Sequence, residues 1–220
     1  MKNALIIGAS GGIGSALAEN LAARGVAVTG LSRRGDEFDI TDPESVARHL
    51  TALTGPFDLV FVASGQLVST RERPEKSLRE VSAEELAAQF AVNAIGPALV
   101  LRHAPRLLPR KGRSVFAVLS ARVGSIGDNR AGGWYSYRAS KAAVNQIVHS
   151  SAIELGRTHR EAICVALHPG TVATAFTAEY PGHDKVAAPQ AAANLVRVMD
   201  GLDPRDTGQF FDWAGKAVPW

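Results

Sequence analysis

The feature that most constrains the fold of this chain is an alternation of short apolar runs with stretches of helical periodicity. Five runs contain no charged residue: residues 4–7, 26–31, 59–63, 114–119 and 162–167. Runs of this length and composition are typical of strands buried on both faces of a parallel sheet. Helix starts lie between them, with Thr41 or Asp42 before Pro43, and Ser82 followed by Glu85 as a capping box. This alternation predicts one doubly wound α/β domain spanning residues 1–220, with a mostly parallel sheet and helices on both faces.

Composition excludes several classes of protein. The 220 residues are 46 % hydrophobic and 20 % charged, which excludes disordered, collagen-like and coiled-coil chains. No apolar run is long enough to span a bilayer, and the net charge of +3 is spread along the chain, so neither a membrane nor a nucleic acid is an expected partner. Cys164 is the single cysteine, and no signal-peptide pattern precedes the first strand. We therefore expect a cytoplasmic protein without a disulfide or a metal site.

A glycine-rich turn follows the first strand and opens the first helix, with the sequence Gly-Ala-Ser-Gly-Gly-Ile-Gly over residues 8–14. Its backbone N–H groups and the helix N-terminus together favour a bound phosphate. The spacing is a variant of the dinucleotide-binding fingerprint. We expect the phosphates to contact Gly8, Ser10, Gly12, Ile13 and Gly14.

The end of the second strand indicates which dinucleotide binds. Ser32, Arg33 and Arg34 stand where a carboxylate would select NAD(H), and a guanidinium offers a 2′-phosphate a bidentate contact. NADP(H) is therefore the preferred cofactor and NAD(H) the alternative. The competing interpretation is that both arginines are solvated and pair with the carboxylates that follow them.

Four motifs in order resemble the short-chain dehydrogenase/reductase family. They are the glycine turn, Asn93 in Val-Asn-Ala-Ile-Gly, Tyr137-x-x-x-Lys141, and Pro-Gly-Thr-Val-Ala-Thr over residues 169–174. The match runs from residue 4 to about residue 174. The segments around residues 125–138 and 208–220 are similar to a branch that contains C-factor-like proteins and carbonyl reductases.

The Tyr137 and Lys141 pair has a physical basis that is independent of the resemblance. Residues four apart share a helix face, and an ammonium within about 4–6 Å lowers the pKa of a phenol from about 10. Tyr137 is therefore the expected general acid for reduction of a carbonyl and the base for oxidation of the alcohol. The resemblance implies that Lys141 also holds the nicotinamide ribose and that Asn93 anchors a proton-relay water.

The resemblance also implies a serine that contacts the substrate oxygen, but the motif counts disagree. In the family this serine commonly lies three residues before a glycine, which here is Ala121. It also commonly lies about 12 or 13 residues before the tyrosine, which here is Ser125 or Gly124. Ser120, at the end of the fourth strand, is our first choice, with Ser125 as the substitute.

Other cofactor contacts follow from the resemblance. Asp39 and Ile40 would touch the adenine. Val-Ala-Ser-Gly over residues 62–65 replaces the family's Asn-Asn-Ala-Gly, which removes two bracing amides and leaves a smooth wall. The remaining expected contacts are Ala63, Ser64, Gly65, Pro169, Gly170, Val172 and Thr174.

The substrate side is expected in a loop over about residues 175–189. Phe176, Tyr180 and Pro181 would form one apolar wall, with Trp134 near the other. Residues 69–81 are rich in charge and predict a solvated surface loop.

The chain is thus expected to be an NADP(H)-dependent oxidoreductase for a small carbonyl or alcohol. The alternative is a dinucleotide-binding signalling or redox-sensing protein with little turnover. A homodimer or homotetramer is expected, because the helices that carry Asn93 and Tyr137 commonly form the subunit interfaces of the family.

Overall fold

The computed structural model describes residues 1–179 and 184–220. Its strands are β1 Asn3–Ile7, β2 Ala27–Leu31, β3 Leu59–Val62, β4 Ser114–Leu119, β5 Ala162–His168, β6 Val172–Ala173, β7 Val186–Ala187 and β8 Phe210–Asp212. Its α-helices are α1 Gly12–Ala23, α2 Arg33–Asp36, α3 Pro43–Ala52, α4 Ala83–Phe90, α5 Gly96–Leu101, α6 Ala104–Leu107, α7 Tyr135–Leu155 and α8 Ala188–Gly201. A π-helical segment, Ala91–Ile95, joins α4 to α5, and 3₁₀ turns lie at Leu78–Glu80, Arg122–Gly124, Ala175–Thr177 and Pro204–Asp206.

Six strands form one parallel sheet in the order β2-β1-β3-β4-β5-β8. The predicted doubly wound fold is confirmed, and all five predicted strands are present. Three details differ from prediction. β2 lies at the sheet edge and is only partly buried, and β8 was missed. β6 and β7, which were also missed, form a separate two-stranded parallel sheet.

Alternate residues of each strand pack into two separate cores, which makes the domain a three-layer sandwich. One face of the sheet, with Leu5, Val60 and Phe116, packs under α3, α5 and α7. The other face, with Ile6 and Phe61, packs under α1 and α8. Cys164 lies in β5, completely buried in the first core.

Side-chain caps begin α3 and α4, as expected, but the capping box predicted for α4 does not form. Asp42 caps α3 by accepting from Glu44 N and Ser45 N. Ser82 caps α4 by accepting from Glu85 N, but Glu85 does not complete the capping box. Its carboxylate instead accepts hydrogen bonds from the backbone of residues 69 and 70, so it fixes a loop and not its own helix.

The chain order places a crevice at the carboxyl ends of β1 and β3. After β1 the chain passes to β2 on one side and then returns to β3 on the other side. Ligands of doubly wound sheets bind at such a switch point. None of the helices in the described part of the chain has the length and apolar character needed to cross a lipid bilayer.

Candidate active site

Glycines let three segments meet at the switch point. Gly8 has φ +85°, and a Cβ there would lie 2.9 Å from Ser64 N. A Cβ at Gly12 would lie 2.6 Å from Thr174 Cγ2. The N-cap of α1 is Gly11, which has no side chain to accept from the first N–H groups of the helix. This cradle has room for a phosphate because its glycines carry no side chains.

Two cavities open from the cradle and share Gly11 and residues 63–65. The inner cavity has a volume of about 300 Å³ and the outer about 270 Å³. The inner cavity brings together the predicted residues Gly12, Ile13, Gly14, Ser120, Tyr137, Lys141, Pro169, Gly170, Val172 and Thr174. The outer cavity brings together Gly8, Ser10, Ser32, Arg33, Asp39 and Ile40. Arg34 lines neither cavity, and Asn93 lies beneath their shared wall.

Several lining residues were not among the expected cofactor or catalytic contacts. Leu119, Ala121, His168, Ala175 and Thr177 line the inner cavity, and Phe38, Thr41, Gln66 and Val92 line the outer one. Three of them had a usable signal: Ala121 is a position counted for the family serine, and Ala175 and Thr177 lie in the loop expected over about residues 175–189. The other six only adjoin expected site residues. Burial lowers the pKa of His168 to about 4, so its imidazole is neutral at pH 7.

Tyr137 and Lys141 lie together in the inner cavity on α7, both buried. Lys141 Nζ lies 5.8 Å from the centre of the Tyr137 ring and donates a 2.9 Å hydrogen bond to Leu119 O. Burial raises the pKa of Tyr137 well above its usual range and lowers the pKa of Lys141 to about 8. The expectation that Lys141 lowers the pKa of this phenol is therefore wrong for the protein alone, because desolvation outweighs the nearby ammonium.

The two candidate serines have different environments. Ser120 lines the inner cavity and donates a 2.6 Å hydrogen bond to Asn145 Oδ1. The Ser125 hydroxyl donates to Pro219 O and accepts from Asp128 N, and Ser125 lines a different groove. Ser125 therefore cannot act as the substitute, since its hydroxyl ties a loop to the C-terminal segment.

Asn93 lies in the π-helical segment and braces the site from below. Its amide donates to Gln66 O at 2.9 Å and Ser140 Oγ at 3.1 Å, and its Oδ1 accepts from Gln66 N at 2.9 Å. A Cβ at Gly65 would lie 3.3 Å from Asn93 Oδ1 and 3.5 Å from Lys141 Nζ. Asn93 thus supplies a brace for the wall after β3, where the two family amides are missing.

A network of hydrogen bonds between buried side chains continues from the Asn93 amide. Asn93 Nδ2 donates to Gln89 Oε1 at 2.6 Å, and Gln89 Nε2 donates to Glu85 Oε1 at 2.9 Å. At the other end Ser140 Oγ donates to Tyr137 O at 2.9 Å. Hydrogen bonds from the Ser69–Thr70 backbone, Thr70 Oγ1 and Gln89 outweigh desolvation, so the pKa of Glu85 is lowered and its carboxylate is an anion at pH 7. These hydrogen bonds link the Glu85 carboxylate on α4 to the backbone of Tyr137.

The outer cavity presents one guanidinium, that of Arg33, which forms no ion pair in the described part of the chain. Arg33 and Arg34 are exposed, and among the described residues neither forms an ion pair. The Asp36 carboxylate instead accepts from Ser32 N at 2.8 Å. Both arginines are thus solvated, as the competing interpretation has it, but the ion pairs that it expects with the following carboxylates do not form among the described residues. Hydrogen bonds from Thr41 lower the pKa of Asp39, so its carboxylate is also charged at pH 7. The nearby Arg33 guanidinium contributes to lowering the pKa of Asp39.

Aromatic rings flank Tyr137 on two sides. The Phe176 ring centroid lies 6.1 Å from that of Tyr137, and the Trp134 ring centroid lies 6.3 Å away. These contacts agree with the expected positions of Phe176 and Trp134. Tyr180 and Pro181, expected in the same wall, lie outside the described residues.

Comparisons with known proteins agree with this geometry. The sequence model of the family described as enoyl-(acyl carrier protein) reductase matches residues 8–210. The 1-hydroxy-2-glutathionyl-2-methyl-3-butene dehydrogenase of Rhodococcus sp. strain AD45 is 32 % identical, with 100 % of each chain covered. The C-signal protein of Myxococcus xanthus is 40 % identical over 149 residues, which cover 66 % of this chain and 84 % of that protein.

A solved structure is similar over the whole fold. A short-chain dehydrogenase/reductase from Burkholderia multivorans with bound NADP has a TM-score of 0.85 and 29 % sequence identity, covering 100 % of this chain and 99 % of the other. With the sheet order, the glycine cradle and the Tyr137–Lys141 pair, these matches establish that this chain is an oxidoreductase that belongs to the short-chain dehydrogenase/reductase family.

Proposed function

We propose that this protein is an NADP(H)-dependent oxidoreductase that interconverts a small carbonyl compound and its alcohol. The observation that carries the proposal is the burial of Tyr137 and Lys141 in a cavity that begins at the glycine cradle. The dehydrogenase from Rhodococcus and the NADP-bound structure from Burkholderia support the same reaction class.

The residues present fit a nicotinamide dinucleotide. A Cβ at Gly8 or Gly12 would close the cradle, and the first turn of α1 offers N–H donors to the pyrophosphate. Arg33 would hold the 2′-phosphate, since its guanidinium lines the outer cavity and has no competing ion pair among the residues that the structure describes. NAD(H), which lacks that phosphate, would gain nothing from Arg33 and is the alternative cofactor. The remaining contacts would come from the cavity-lining residues already named.

When bound, the reduced dinucleotide supplies the hydride that reduces the carbonyl carbon. Tyr137 would donate the proton to the carbonyl oxygen, because its raised pKa keeps the phenol protonated at pH 7. Lys141 would favour the phenolate formed by that donation, since its ammonium lies near the same ring. Trp134 and Phe176 would shield the hydroxyl from bulk water.

Two further residues complete the proposed site. Ser120 would accept or donate one hydrogen bond at the substrate oxygen, although its hydroxyl proton is directed at Asn145. Asn93 would act mainly through the brace that its side chain makes with Gln66 and Ser140, and the proton-relay water implied by family resemblance would have to use its backbone.

The test is NADPH oxidation with a panel of aldehydes, ketones and quinones. Replacing Tyr137 with Phe should lower turnover by about 10²–10⁴-fold, the usual contribution of a general acid. Tyr135→Phe is the matched control, because Tyr135 lies two residues away and lines a different groove. Equal turnover by wild type and Tyr137→Phe would refute the role of Tyr137.

One observation favours a second function. Ala121 presents a methyl group to the inner cavity, at one of the positions counted for the family serine, and the Ser120 hydroxyl is directed away. A dinucleotide-binding signalling or redox-sensing protein needs no such hydroxyl. Tight NADPH binding with no turnover of any panel member would support that function. The homodimer or homotetramer stays a prediction, which the molar mass in solution will check.

A further inference from the structure

The catalytic helix of the proposed site begins from an unusual backbone. Gly132, Gly133 and Trp134 have φ values of 64°, 63° and 54°, three left-handed residues in succession just before α7. A left-handed tryptophan is disfavoured by its Cβ and persists only where surrounding contacts hold it. The N-cap side chain is an indole, which has no acceptor for the first N–H groups of the helix.

Glu75 supplies the missing acceptor from a distant loop. Its carboxylate accepts from Ser136 N at 3.3 Å and from the Ser136 hydroxyl, and its backbone carbonyl accepts from Trp134 N at 2.5 Å. A Cβ at Gly133 would lie 3.3 Å from Glu75 O, so the loop also packs closely against the left-handed turn. One residue therefore holds both the strained turn and the first turn of α7.

This carboxylate is buried although its loop is rich in charge. Glu75 is 1 % exposed, and Pro74 beside it is also buried. The prediction of a solvated surface loop over residues 69–81 is thus wrong for Pro74 and Glu75, which are buried. The Arg71 guanidinium lies 3.9 Å from the Glu75 carboxylate and also pairs with Glu80 at 3.1 Å. Buried charge is retained where it is paired and hydrogen-bonded, and Glu75 is both.

Tyr137 immediately follows the residue that Glu75 holds. Lys141, one turn further along, is fixed separately by its bond to Leu119 O. Loss of the Glu75 contacts would release the first turn of α7 and the tyrosine while leaving the lysine and the glycine cradle in place. The expected defect is therefore in the chemical step and not in dinucleotide binding.

We propose that Glu75 is a positioning residue that sets the place of Tyr137 by capping α7 from the loop of residues 69–81. The proposal rests on the proposed function of Tyr137. Glu75 lines neither cavity, so it reaches Tyr137 through its hydrogen bonds with Ser136 and Trp134.

The experiment compares Glu75→Ala and Glu75→Gln with wild type. We measure kcat and KM for the best carbonyl substrate, the NADPH Kd by fluorescence titration, and thermal unfolding. Glu75→Ala should lower kcat by about tenfold to a hundredfold, the effect of an ångström-scale misplacement, with the NADPH Kd within about threefold of wild type. Glu75→Gln keeps an acceptor oxygen and should recover most of kcat. Glu80→Gln, on the same loop and sharing Arg71, is the matched control and should retain wild-type kcat.

Unchanged kcat in Glu75→Ala overturns the proposal, even if its thermal stability falls. So does a loss of kcat and NADPH affinity together that Glu75→Gln does not relieve, since that pattern marks a general loss of structure. If Glu75→Ala does not fold, Ser136→Ala carries the test, because it removes only the hydroxyl contact, and a wild-type kcat there overturns the proposal. Absence of turnover by wild type itself refutes the proposed function, and this inference with it.

Discussion

Arg33 provides a direct test of cofactor choice. Its guanidinium lines the outer cavity, is exposed and has no ion-pair partner among the described residues. Hydrogen bonds to charged groups contribute about 1.5–3 kcal/mol, and the lower part of that range applies because solvent screens an exposed contact. Since 1.4 kcal/mol is a factor of ten in Kd, Arg33→Ala should weaken NADPH binding by about tenfold to thirtyfold.

The assay measures Kd for NADPH and for NADH by fluorescence titration at two salt concentrations. NADH affinity should change by no more than about twofold, so the preference for NADPH over NADH should fall by nearly the same factor as the NADPH affinity. The loss of NADPH affinity should be smaller at high salt, because salt screens the contact between the guanidinium and the phosphate. Arg34→Ala is the control, because its side chain has the same charge and exposure but lines neither cavity. An unchanged preference in Arg33→Ala, or an equal loss in Arg34→Ala, would refute the reasoning.

Three further predictions concern the inner site and its support. Carbonyl reduction should decline as pH rises through about 8, where the buried Lys141 ammonium loses its proton, and Lys141→Met should lack that pH-dependent decline in a kcat/KM profile. Gln89→Leu removes two hydrogen bonds from the buried network and should lower the free energy of unfolding by about 1–3 kcal/mol. The midpoint of thermal unfolding should therefore fall by about 3–10 °C. The control is Gln146→Leu at an exposed position, which should leave the midpoint within about 1 °C of wild type. Gly12→Ala should weaken NADPH binding at least about tenfold through its contact with Thr174 Cγ2, and adding Thr174→Ser, which lacks that methyl, should restore much of the affinity; no recovery would contradict the assigned contact.

Much of the fold could be predicted because its signals are local. The central strands are continuous apolar runs, and the glycine turn lies between a strand and a helix that are both evident in the sequence. β8 escaped prediction because Phe210–Asp212 is only three residues long, too short for periodicity to show. The edge position of β2 was also missed, because its composition resembles that of a central strand. In the described sheet β2 pairs with β1 alone, which the sequence does not show.

The motifs of the candidate site could be read from the sequence, whereas its long-range contacts could not. The choice between Ser120 and Ser125 depended on a hydrogen bond from Ser125 to Pro219, 94 residues away. The burial of Glu75 depended on a contact with Ser136, 61 residues away. The expectation of a lowered pKa for Tyr137 was wrong for a related reason. Helical spacing places the ammonium near the ring, but it does not reveal that the folded chain buries the phenol, and this burial raises the pKa.

The lone thiol in the central sheet has a practical consequence. Cys164 lies in β5 with no exposed surface, and burial raises the pKa of its thiol to about 12. An alkylating reagent therefore meets an unreactive group until the strands around it separate. The labelling rate of this single thiol then reports how often the central sheet opens around β5, so the unaltered chain allows opening to be measured under native conditions.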